Sequence, residues 1–426
     1  MKIETIHQLF LKCHSVCTDT RKIQKNDIFF ALKGDNFNGN TYAKKALENG
    51  AKYAIIDETA FNTSPETILV NNVLETLQEL ASFHRNYLKT PIIALTGSNG
   101  KTTTKELINA VLSQKFKTTA TIGNLNNHIG VPLTLLSMNK ATQIGIVEMG
   151  ANHQKEIEFL CHIAKPDYGL ITNFGKAHLE GFGNIEGVIK GKSEMYDYLI
   201  NNHKTIFVNA NDSIQIKKTK TSNRFLFGNN ETKQDATISL VDANPFVKVT
   251  YNDIDIQSQL IGDYNFNNIA VAIAVGNYFK VDNNQIKTAI ESYIPSNNRS
   301  QIIEKDSNKI ILDAYNANPT SMRAALLNFE KQEGNKTAIL GDMFELGKDA
   351  KKEHQIIVDL ASTLLLDKVI LIGDNFYKTK IVSSKITAFK SFTDFKDSIN
   401  LVQINNTTFL IKGSRGMALE KTLELL

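Results

Sequence analysis

The sequence contains little cysteine and no long apolar run. Cys13, Cys17 and Cys161 are its three cysteines, and this sparse, odd-numbered set argues against a disulfide framework and for a reducing compartment. The stretch CHSVC, which holds the first two, lacks a second ligand pair at zinc spacing and does not predict a metal site. No segment is apolar over the length of a membrane span, and the first residues do not resemble a signal peptide. We therefore expect a cytoplasmic protein without a membrane partner.

A strong basic block is also missing. The 48 lysines and arginines and 44 acidic residues give a net charge of +4, which is spread along the chain. Nucleic-acid-binding proteins cluster their positive charge, so we expect no nucleic acid partner. Internal repeats and low-complexity tracts are absent as well. A chain of 426 residues with 42% hydrophobic residues is large enough for two or three globular domains.

The stretch ALTGSNGKTTTKE at residues 94–106 connects an apolar run, typical of a buried strand, to a helical pattern. Gly97 and Gly100 can adopt positive φ and let the backbone approach an anion, and the helix start offers free N–H groups. Lys101 adds a positive charge for phosphates and Thr102 a hydroxyl for Mg²⁺. The alternative is an ordinary turn before a capped helix. Because strand, loop and helix agree, the pattern favours nucleotide binding.

Strand and helix patterns alternate along the chain, an order typical of α/β folds. We predict a small α/β domain at 1–88, a central domain at 89–297 with a parallel sheet like that of P-loop ATPases, and a Rossmann-like domain at 298–426. Within the central domain, residues 223–262 are rich in strand patterns and indicate an antiparallel edge. The polar stretch IPSNNRS is the predicted linker to the last domain.

Three residues lie near the carboxyl ends of predicted strands, where open α/β sheets bind ligands. Glu148 ends one strand and could either bind Mg²⁺ opposite the phosphate loop or cap the next helix. His178 lies in a Gly-rich loop, where a lone histidine is usually solvated, so its role stays open. Lys192 lies in a helical segment near the same edge, either as a phosphate-binding lysine or as a solvated one.

These motifs resemble the Mur ligase family, and the resemblance runs through all three predicted domains. The stretch TGSNGKT fits the family's T-G-[ST]-x-G-K-[ST] loop, so Leu95 is no defect although a general phosphate loop has glycine there. Further similar stretches are NLNNHIGVPLTLL, EMGANHQKEI, AHLEGFG, GKSEMY, YNFNNIAVAIA, DAYNANPTSM, GDMFELG and KGSRGMALE. YNANP and GDMFELG favour the branch that adds D-alanyl-D-alanine over the branches that add one amino acid.

The resemblance implies an ATP-dependent amide ligase of peptidoglycan precursor synthesis, with ATP and two Mg²⁺ ions as cofactors. Its implied partners are a UDP-N-acetylmuramoyl-tripeptide, bound by the first domain, and D-alanyl-D-alanine. The peptide carboxylate would react through an acyl phosphate, and a monomer is expected. One alternative is a ligase for folate polyglutamate or a single amino acid, which TDTR and YNANP oppose. The other is a P-loop switch or motor, which the strand ending in Glu148 and the third domain oppose.

The resemblance also implies roles for individual residues. Nucleotide contacts are implied for Gly97, Ser98, Asn99, Gly100, Lys101, Thr102, Thr103, Asn268, Arg299, Asp313 and Tyr315. Substrate contacts are implied for Thr18, Asp19, Thr20, Arg21, Asn126, Asn127, Asn316 and Asn318. Thr102 and Glu148 would hold one Mg²⁺, and His178 with a carbamylated Lys192 would serve the second. Lys101, Lys192 and His178 are the implied catalytic residues.

Three departures from the family pattern leave roles open. The family's F-D-G-H is F-N-G-N at 37–40, so these asparagines are not assigned to the sugar nucleotide. His128 stands where an acidic residue is usual. Two asparagines at 297–298 replace Pro-Gly before Arg299, so a different hinge geometry is expected. The sequence leaves the third residue of the peptide, meso-diaminopimelate or lysine, undetermined.

Overall fold

The computed structural model describes residues 1–229, 234–398 and 404–426. Its main sheets are built from residues 16–69, 92–261 and 301–412. Each sheet therefore lies within one of the predicted spans, and the α/β class is confirmed. Among the described helices, none combines the length and the apolar character that crossing a bilayer requires.

The first sheet is small and parallel. The elements of this part are α1 (Ile3–Phe10), β1 (Val16–Cys17), β2 (Ile28–Phe30), β3 (Lys33–Gly34), β4 (Phe37–Asn38), α2 (Ala43–Glu48), β5 (Tyr53–Ile56), β6 (Thr67–Leu69) and α3 (Val73–Leu88). The strand order is β1-β2-β5-β6, with a separate hairpin of β3 and β4. Because β1, β2, β5 and β6 are parallel, the loops after them meet at one edge of the sheet.

The central sheet carries the phosphate loop. Its elements are β7 (Ile92–Thr96), α4 (Lys101–Leu112), β8 (Thr118–Ala120), α5 (Gly130–Leu136), β9 (Ile144–Glu148), α6 (Glu156–Ala164), β10 (Tyr168–Ile171), α7 (Leu179–Phe182), α8 (Ile185–Asn201), β11 (Thr205–Asn209), α9 (Ser213–Lys218), β12 (Asn223–Gly228), β13 (Ala236–Asp242), β14 (Phe246–Tyr251), β15 (Ile254–Ile261), α10 (Phe266–Tyr278) and α11 (Asn283–Ser292). The order is β15-β14-β13-β12-β11-β10-β7-β9-β8. At one edge of this sheet β13 pairs with β14, and β14 with β15, in antiparallel fashion. This confirms the predicted antiparallel edge.

β7 lies between β10 and β9 and is buried along its whole length. Its apolar sequence fits a strand that helices cover on both faces. Strands added on either side of β7 place their loops on opposite sides of its carboxyl end. This topological switch point is where open α/β sheets bind ligands, and the phosphate loop begins there.

The third sheet forms the C-terminal domain. Its elements are β16 (Gln301–Lys305), β17 (Asn308–Asp313), α12 (Pro319–Glu330), β18 (Asn335–Gly341), α13 (Ala350–Thr363), β19 (Lys368–Ile372), α14 (Asp374–Tyr377), β20 (Ile386–Phe389), α15 (Phe392–Ser398) and β21 (Thr407–Lys412). The order is β16-β17-β21-β18-β19-β20, with only the β16–β17 pair antiparallel among these strands. The helical segment predicted after the last strand consists of 3₁₀ turns.

Candidate active site

Two glycines shape the loop between β7 and α4. Gly97 has a φ of 147° and Gly100 a φ of 77°, conformations that side chains disfavour. A Cβ atom would lie 2.0 Å from Thr172 Oγ1 at the first position and 2.5 Å from Asn268 Oδ1 at the second. Both positions therefore exclude a side chain, and Gly100, unlike Gly97, lines the cavity in front of α4.

Lys101 is the first residue of α4. The preceding Gly100 has no side chain to cap the helix, so the first N–H groups face the cavity in front of the loop. Lys101 Nζ donates to the carbonyls of Gly97 at 2.8 Å and Ser98 at 3.5 Å, which curls the side chain over the loop. Desolvation lowers the pKa of Lys101; Glu148 opposes this shift and Arg299 reinforces it. The helix start and the lysine together suit a phosphate.

Glu148 faces the phosphate loop and does not cap the following helix. Its Oε2 atom accepts a hydrogen bond from Thr102 Oγ1 at 2.9 Å, and its Oε1 atom accepts one from Asn126 Nδ2 at 2.8 Å. In the described residues no cluster of three or more histidine, cysteine or acidic side chains could hold a metal ion. Magnesium bound to a nucleotide usually takes few protein ligands. The adjacent hydroxyl and carboxylate oxygens of Thr102 and Glu148 therefore fit one such ion.

A cavity of about 380 Å³ opens between the phosphate loop and the C-terminal domain. This volume falls within the range of small-molecule sites, roughly 300–1,000 Å³. Its walls include these residues from the sequence analysis: Ser98, Asn99, Gly100, Lys101, Thr102, Thr103, Asn126, Glu148, Asn268, Arg299, Asp313, Tyr315 and Asn316. They also include residues that the sequence analysis missed: Asn124, Asn173, Tyr264, Asn265, Ser300, Thr320, Ser321, Ala324 and Lys412. The fold thus brings the phosphate loop and the start of the C-terminal domain to one site.

Arg299 reaches into this cavity from the linker. Its guanidinium lies 3.7 Å from the centroid of the Tyr315 ring, a stacked cation–π arrangement. Its Nε atom is buried and has no hydrogen-bond partner in the described structure. A buried guanidinium N–H without an acceptor is costly. A phosphate oxygen in the cavity could accept from it and remove that cost.

The linker around Arg299 is strained but firmly held. Asn297, Asn298 and Ser300 all have positive φ, between 48° and 62°. The carbonyl of Asn298 accepts from the backbone N–H of Tyr315 at 3.2 Å, and the N–H of Ser300 donates to Asp313 Oδ1 at 3.2 Å. Left-handed backbone at non-glycine residues persists where surrounding contacts over-determine it. Whether this linker differs from the family's hinge, as expected from its two asparagines, stays a prediction.

Asp313 is fixed by a buried lysine. Lys412 Nζ donates to Asp313 Oδ2 at 2.5 Å and to the carbonyl of Asn316 at 3.3 Å. On the opposite wall, Asn268 accepts from Thr104 Oγ1 at 3.0 Å. These side chains give the cavity both hydrogen-bond donors and hydrogen-bond acceptors beyond the phosphate loop.

Family profiles cover most of the chain. The profile of the Mur ligase family, catalytic domain, matches residues 12–91, that of the Mur ligase middle domain matches 95–276, and that of the Mur ligase, glutamate ligase domain, matches 298–415. The chain belongs to the Mur ligase family.

Individual relatives agree with this assignment. The chain is 34% identical to the UDP-N-acetylmuramoyl-tripeptide–D-alanyl-D-alanine ligase of Bacillus subtilis (strain 168), over 96% of its own length and 92% of the relative's. The crystal structure of MurF from Acinetobacter baumannii is 28% identical, with a TM-score of 0.87 and coverage of 99% of this chain and 98% of that one. The MurF ligase of Thermotoga maritima in complex with ADP is 26% identical, with a TM-score of 0.83 and coverage of 98% and 97%.

Two of the three implied catalytic residues of this Mur ligase lie away from the cavity wall. Among the described lining residues, neither His178 nor Lys192 occurs. Lys192 is fully buried on α8, where Nζ donates to the carbonyl of Ala151 at 3.2 Å and lies 5.3 Å from the ring centroid of Phe182. His178 Nδ1 pairs instead with the carboxylate of Glu345 in the C-terminal domain.

Burial lowers the pKa of Lys192 well below its ordinary value. Lys101 lowers it further, whereas Glu156 and Glu194 oppose the shift. Among the described residues its nitrogen bonds to the Ala151 carbonyl and forms no ion pair with a carboxylate. Burial therefore disfavours the charged form of this amine.

Asn127 and Asn318 both bond to backbone N–H groups at the start of a helix. Asn127 Oδ1 accepts from the backbone N–H groups of Ile129 and Gly130 at the start of α5, at 3.1 and 2.9 Å. Asn318 caps α12 and uses its Nδ2 atom to donate to Asn99 Oδ1 at 2.7 Å. The second residue therefore connects the C-terminal domain to the phosphate loop, while the first acts within the central domain.

The predicted UDP-sugar residues lie in the first domain, in the loop after β1: Thr18, Asp19, Thr20 and Arg21. Arg21 Nε and Nη2 donate to the carboxylate of Asp19 at 2.9 and 2.8 Å. These hydrogen bonds are the main reason that the pKa of Asp19 falls to about 2. The loop is partly exposed and does not line the cavity.

The asparagines of the F-N-G-N stretch bond within the first domain. Asn38 Nδ2 donates to Glu58 Oε1 at 3.1 Å, and Asn40 Nδ2 donates to Asp57 Oδ1 at 2.9 Å. Asn40 is completely buried, so its amide serves the fold. His128 is exposed, and its carbonyl accepts from Gln78 Nε2 at 2.9 Å.

Proposed function

We propose that this protein joins D-alanyl-D-alanine to the terminal carboxylate of a UDP-N-acetylmuramoyl-tripeptide, with ATP as the energy source, in peptidoglycan precursor synthesis. The observation that carries the proposal is the cavity shared by the phosphate loop, Glu148 and Arg299. Relatives with this activity in their names match almost the whole chain.

The chemistry requires an activated carboxylate. A carboxylate does not yield an amide directly because an oxide ion is not a leaving group. The carboxylate oxygen therefore takes the γ-phosphoryl group, and ADP leaves. The amine nitrogen of D-alanyl-D-alanine then attacks the carbonyl carbon, loses a proton and expels inorganic phosphate. Lys101 and Arg299 offset negative charge as the phosphoryl group is transferred.

We assign the magnesium site to Thr102 and Glu148, whose oxygens lie beside the phosphate loop. A magnesium ion supplies positive charge that neutralises the phosphate oxygens. The second ion, predicted at His178 and Lys192, stays a prediction because His178 pairs with Glu345 in this structure.

We further propose that Lys192 is carbamylated. Its neutral amine can attack carbon dioxide, forming an N–C bond and releasing a proton, so that the side chain ends in two oxygens that share one negative charge. The support is the burial of Lys192 and the absence of a described carboxylate at its nitrogen. A carbamate would also turn a costly buried amine into a group that can bind a cation.

The first domain would bind the UDP-sugar at the edge formed by the loops after β1, β2 and β5. Thr18 to Arg21 lie at this edge, as does Phe37, whose exposed ring stacks on Tyr42 with centroids 5.3 Å apart. We place the enzyme in the cytoplasm as a monomer, where ATP and nucleotide sugars are available.

Isotope transfer tests the proposal. The tripeptide carboxylate is labelled with ¹⁸O, and the enzyme is supplied with ATP, Mg²⁺ and D-alanyl-D-alanine. We expect amide product, one ADP per amide, and one ¹⁸O atom in each phosphate released. Amide formed with unlabelled phosphate would contradict the acyl phosphate. ADP release that does not depend on the sugar peptide would favour plain ATP hydrolysis.

A further inference from the structure

The loop after β10 contacts both the phosphate loop and the C-terminal domain. On one side, Ser98 Oγ donates to the carbonyl of Gly175 at 2.8 Å. On the other side, the N–H of Lys176 donates to Thr320 Oγ1 at 3.0 Å, and Lys176 Nζ pairs with Glu353 Oε1 at 2.6 Å. Adjacent residues of one loop thus connect the nucleotide site to two elements of the other domain, α12 and α13.

Glu353 carries its charge in a buried position, and its partner Lys176 lies in the other domain. Its side chain is 6% exposed, whereas that of Lys176 is 47% exposed. In the part of the chain that the structure describes, Lys176 is the cation within ion-pair distance of this carboxylate. Burial lowers the pKa of the neighbouring His354, and although Asp342 and Glu353 oppose that shift, the imidazole supplies little positive charge at neutral pH.

Breaking a buried ion pair is costly because it leaves one charge without a partner and without water. Separation of the domains would let water reach the side of Glu353 that faces Lys176, so the loss of Lys176 would favour separation. The pair therefore favours the arrangement in which Thr320 and Arg299 lie across the cavity from the phosphate loop.

We propose that the Lys176–Glu353 ion pair holds the C-terminal domain closed over the nucleotide site and that Lys176 is a positioning residue of the ligation. The proposal rests on the proposed function, because its consequence concerns the acyl phosphate. A closed cavity keeps water from that intermediate. In an open cavity a water oxygen attacks the carbonyl carbon, the bond from that carbon to the phosphate oxygen breaks, and ATP is consumed without amide.

The test compares Lys176→Met and Glu353→Gln with the exchange Lys176→Glu/Glu353→Lys in the full chain. Lys155→Met is the matched control, because Lys155 pairs with Glu158 at the same 2.6 Å but within one domain. One readout is the molar ratio of ADP to amide at saturating substrates. The other is the radius of gyration from small-angle X-ray scattering with ADP and Mg²⁺, which requires no activity.

We expect about one ADP per amide for the wild type and for Lys155→Met. For Lys176→Met and Glu353→Gln the ratio should rise at least about threefold, with a larger radius of gyration, and the exchange should reverse part of both changes. An unchanged ratio of ADP to amide and an unchanged radius of gyration in both single variants would overturn the proposal. A wild type that makes no amide would instead overturn the proposed function, and the scattering data would still decide the role of the ion pair.

Discussion

Lys101 makes its hydrogen bonds to the carbonyls of its own loop and does not belong to the apolar core. Lys101→Ala should therefore abolish most turnover while the fold survives. Removing one electrostatic contributor typically costs about 2.7–4 kcal/mol, a loss of roughly 100-fold or more in rate. ADP release and a thermal unfolding curve measure the two effects. A variant that keeps more than about a tenth of the wild-type rate would contradict this role.

Lys192 tests the proposed carbamate, which requires the amine nitrogen and not a positive charge. Lys192→Ala should be nearly inactive and partly rescued by small carboxylic acids, which replace the carbamate oxygens. Lys192→Arg keeps a cation but cannot form this carbamate, so it should be inactive too. A well-ordered crystal structure of the wild type should show extra density on Lys192 Nζ.

The exposed Lys190 on the same helix gives the matched control. Lys190→Ala should keep normal turnover and show no response to added acids. If Lys192→Arg worked at a near-normal rate, the carbamate would not be required for catalysis.

At the scale of elements, the start of α12 combines two functions in one side chain. Asn318 Oδ1 accepts from the N–H of Ser321 at 2.9 Å, and Nδ2 donates to Asn99. Asn318→Asp keeps the acceptor and loses the donor, so it should preserve stability but lower nucleotide affinity. Asn318→Ala loses both and should also cost about 1 kcal/mol of stability. Urea unfolding and ADP titration by calorimetry separate the two effects.

Asn184 provides the comparison, because it caps α8 through Gly187 N at 2.8 Å and is exposed. Asn184→Asp should change neither stability nor ADP affinity. Equal ADP affinity in Asn318→Asp and the wild type would show that the bond to Asn99 does not matter for binding.

Local chemistry explains which parts of the site could be predicted from the sequence. Gly97, Gly100 and Lys101 form one continuous stretch between a strand and a helix, so neighbouring residues define their geometry. The position of Glu148 follows from its place at the end of a buried strand. The pairing of His178 with Glu345 depends on how the domains meet, which no local pattern encodes.

The missed residues have the same explanation. Tyr264 and Asn265 lie in the YNFNN stretch, and Lys412 ends a strand. The sequence shows these motifs, but it does not show that the three side chains point into the cavity. Thr320 reaches the site only because α12 docks on the loop after β10. The substrate role implied for Asn127 stays a prediction, and its side-chain oxygen accepts from the N–H groups of Ile129 and Gly130 in this structure.

At the scale of the whole molecule, a buried histidine pair lies where the first and central domains meet. His84 Nε2 is 3.0 Å from the carbonyl of Met138 and must donate to it. His84 Nδ1 then accepts from His7 Nε2 at 3.0 Å, which leaves His7 Nδ1 buried without a partner. Burial lowers the pKa of both histidines, and for His7 the neighbouring His84 adds to this.

Acid should therefore weaken this joint between the domains. Above the ordinary histidine pKa of about 6.5, both rings are neutral in the folded and the unfolded chain. Below it, the unfolded chain takes up protons that the folded chain resists, so stability falls until the lowered folded pKa values are reached. Urea midpoints at about pH 7.5 and 5.5 should show this loss, and His7→Phe should reduce it.

The exposed His153 serves as the control. His153→Gln should leave the difference between the two pH values unchanged. An equally large difference in His7→Phe would assign the acid sensitivity to other groups.

The cavity wall belongs partly to the central domain and partly to the C-terminal domain, and this division has a thermodynamic consequence. Binding and domain arrangement are linked equilibria, so the factor by which closure strengthens nucleotide binding equals the factor by which bound nucleotide favours closure. A compound that binds only the open cleft would weaken ATP binding without touching the phosphate loop. The loss of ATP affinity cannot exceed the factor by which closure strengthens nucleotide binding.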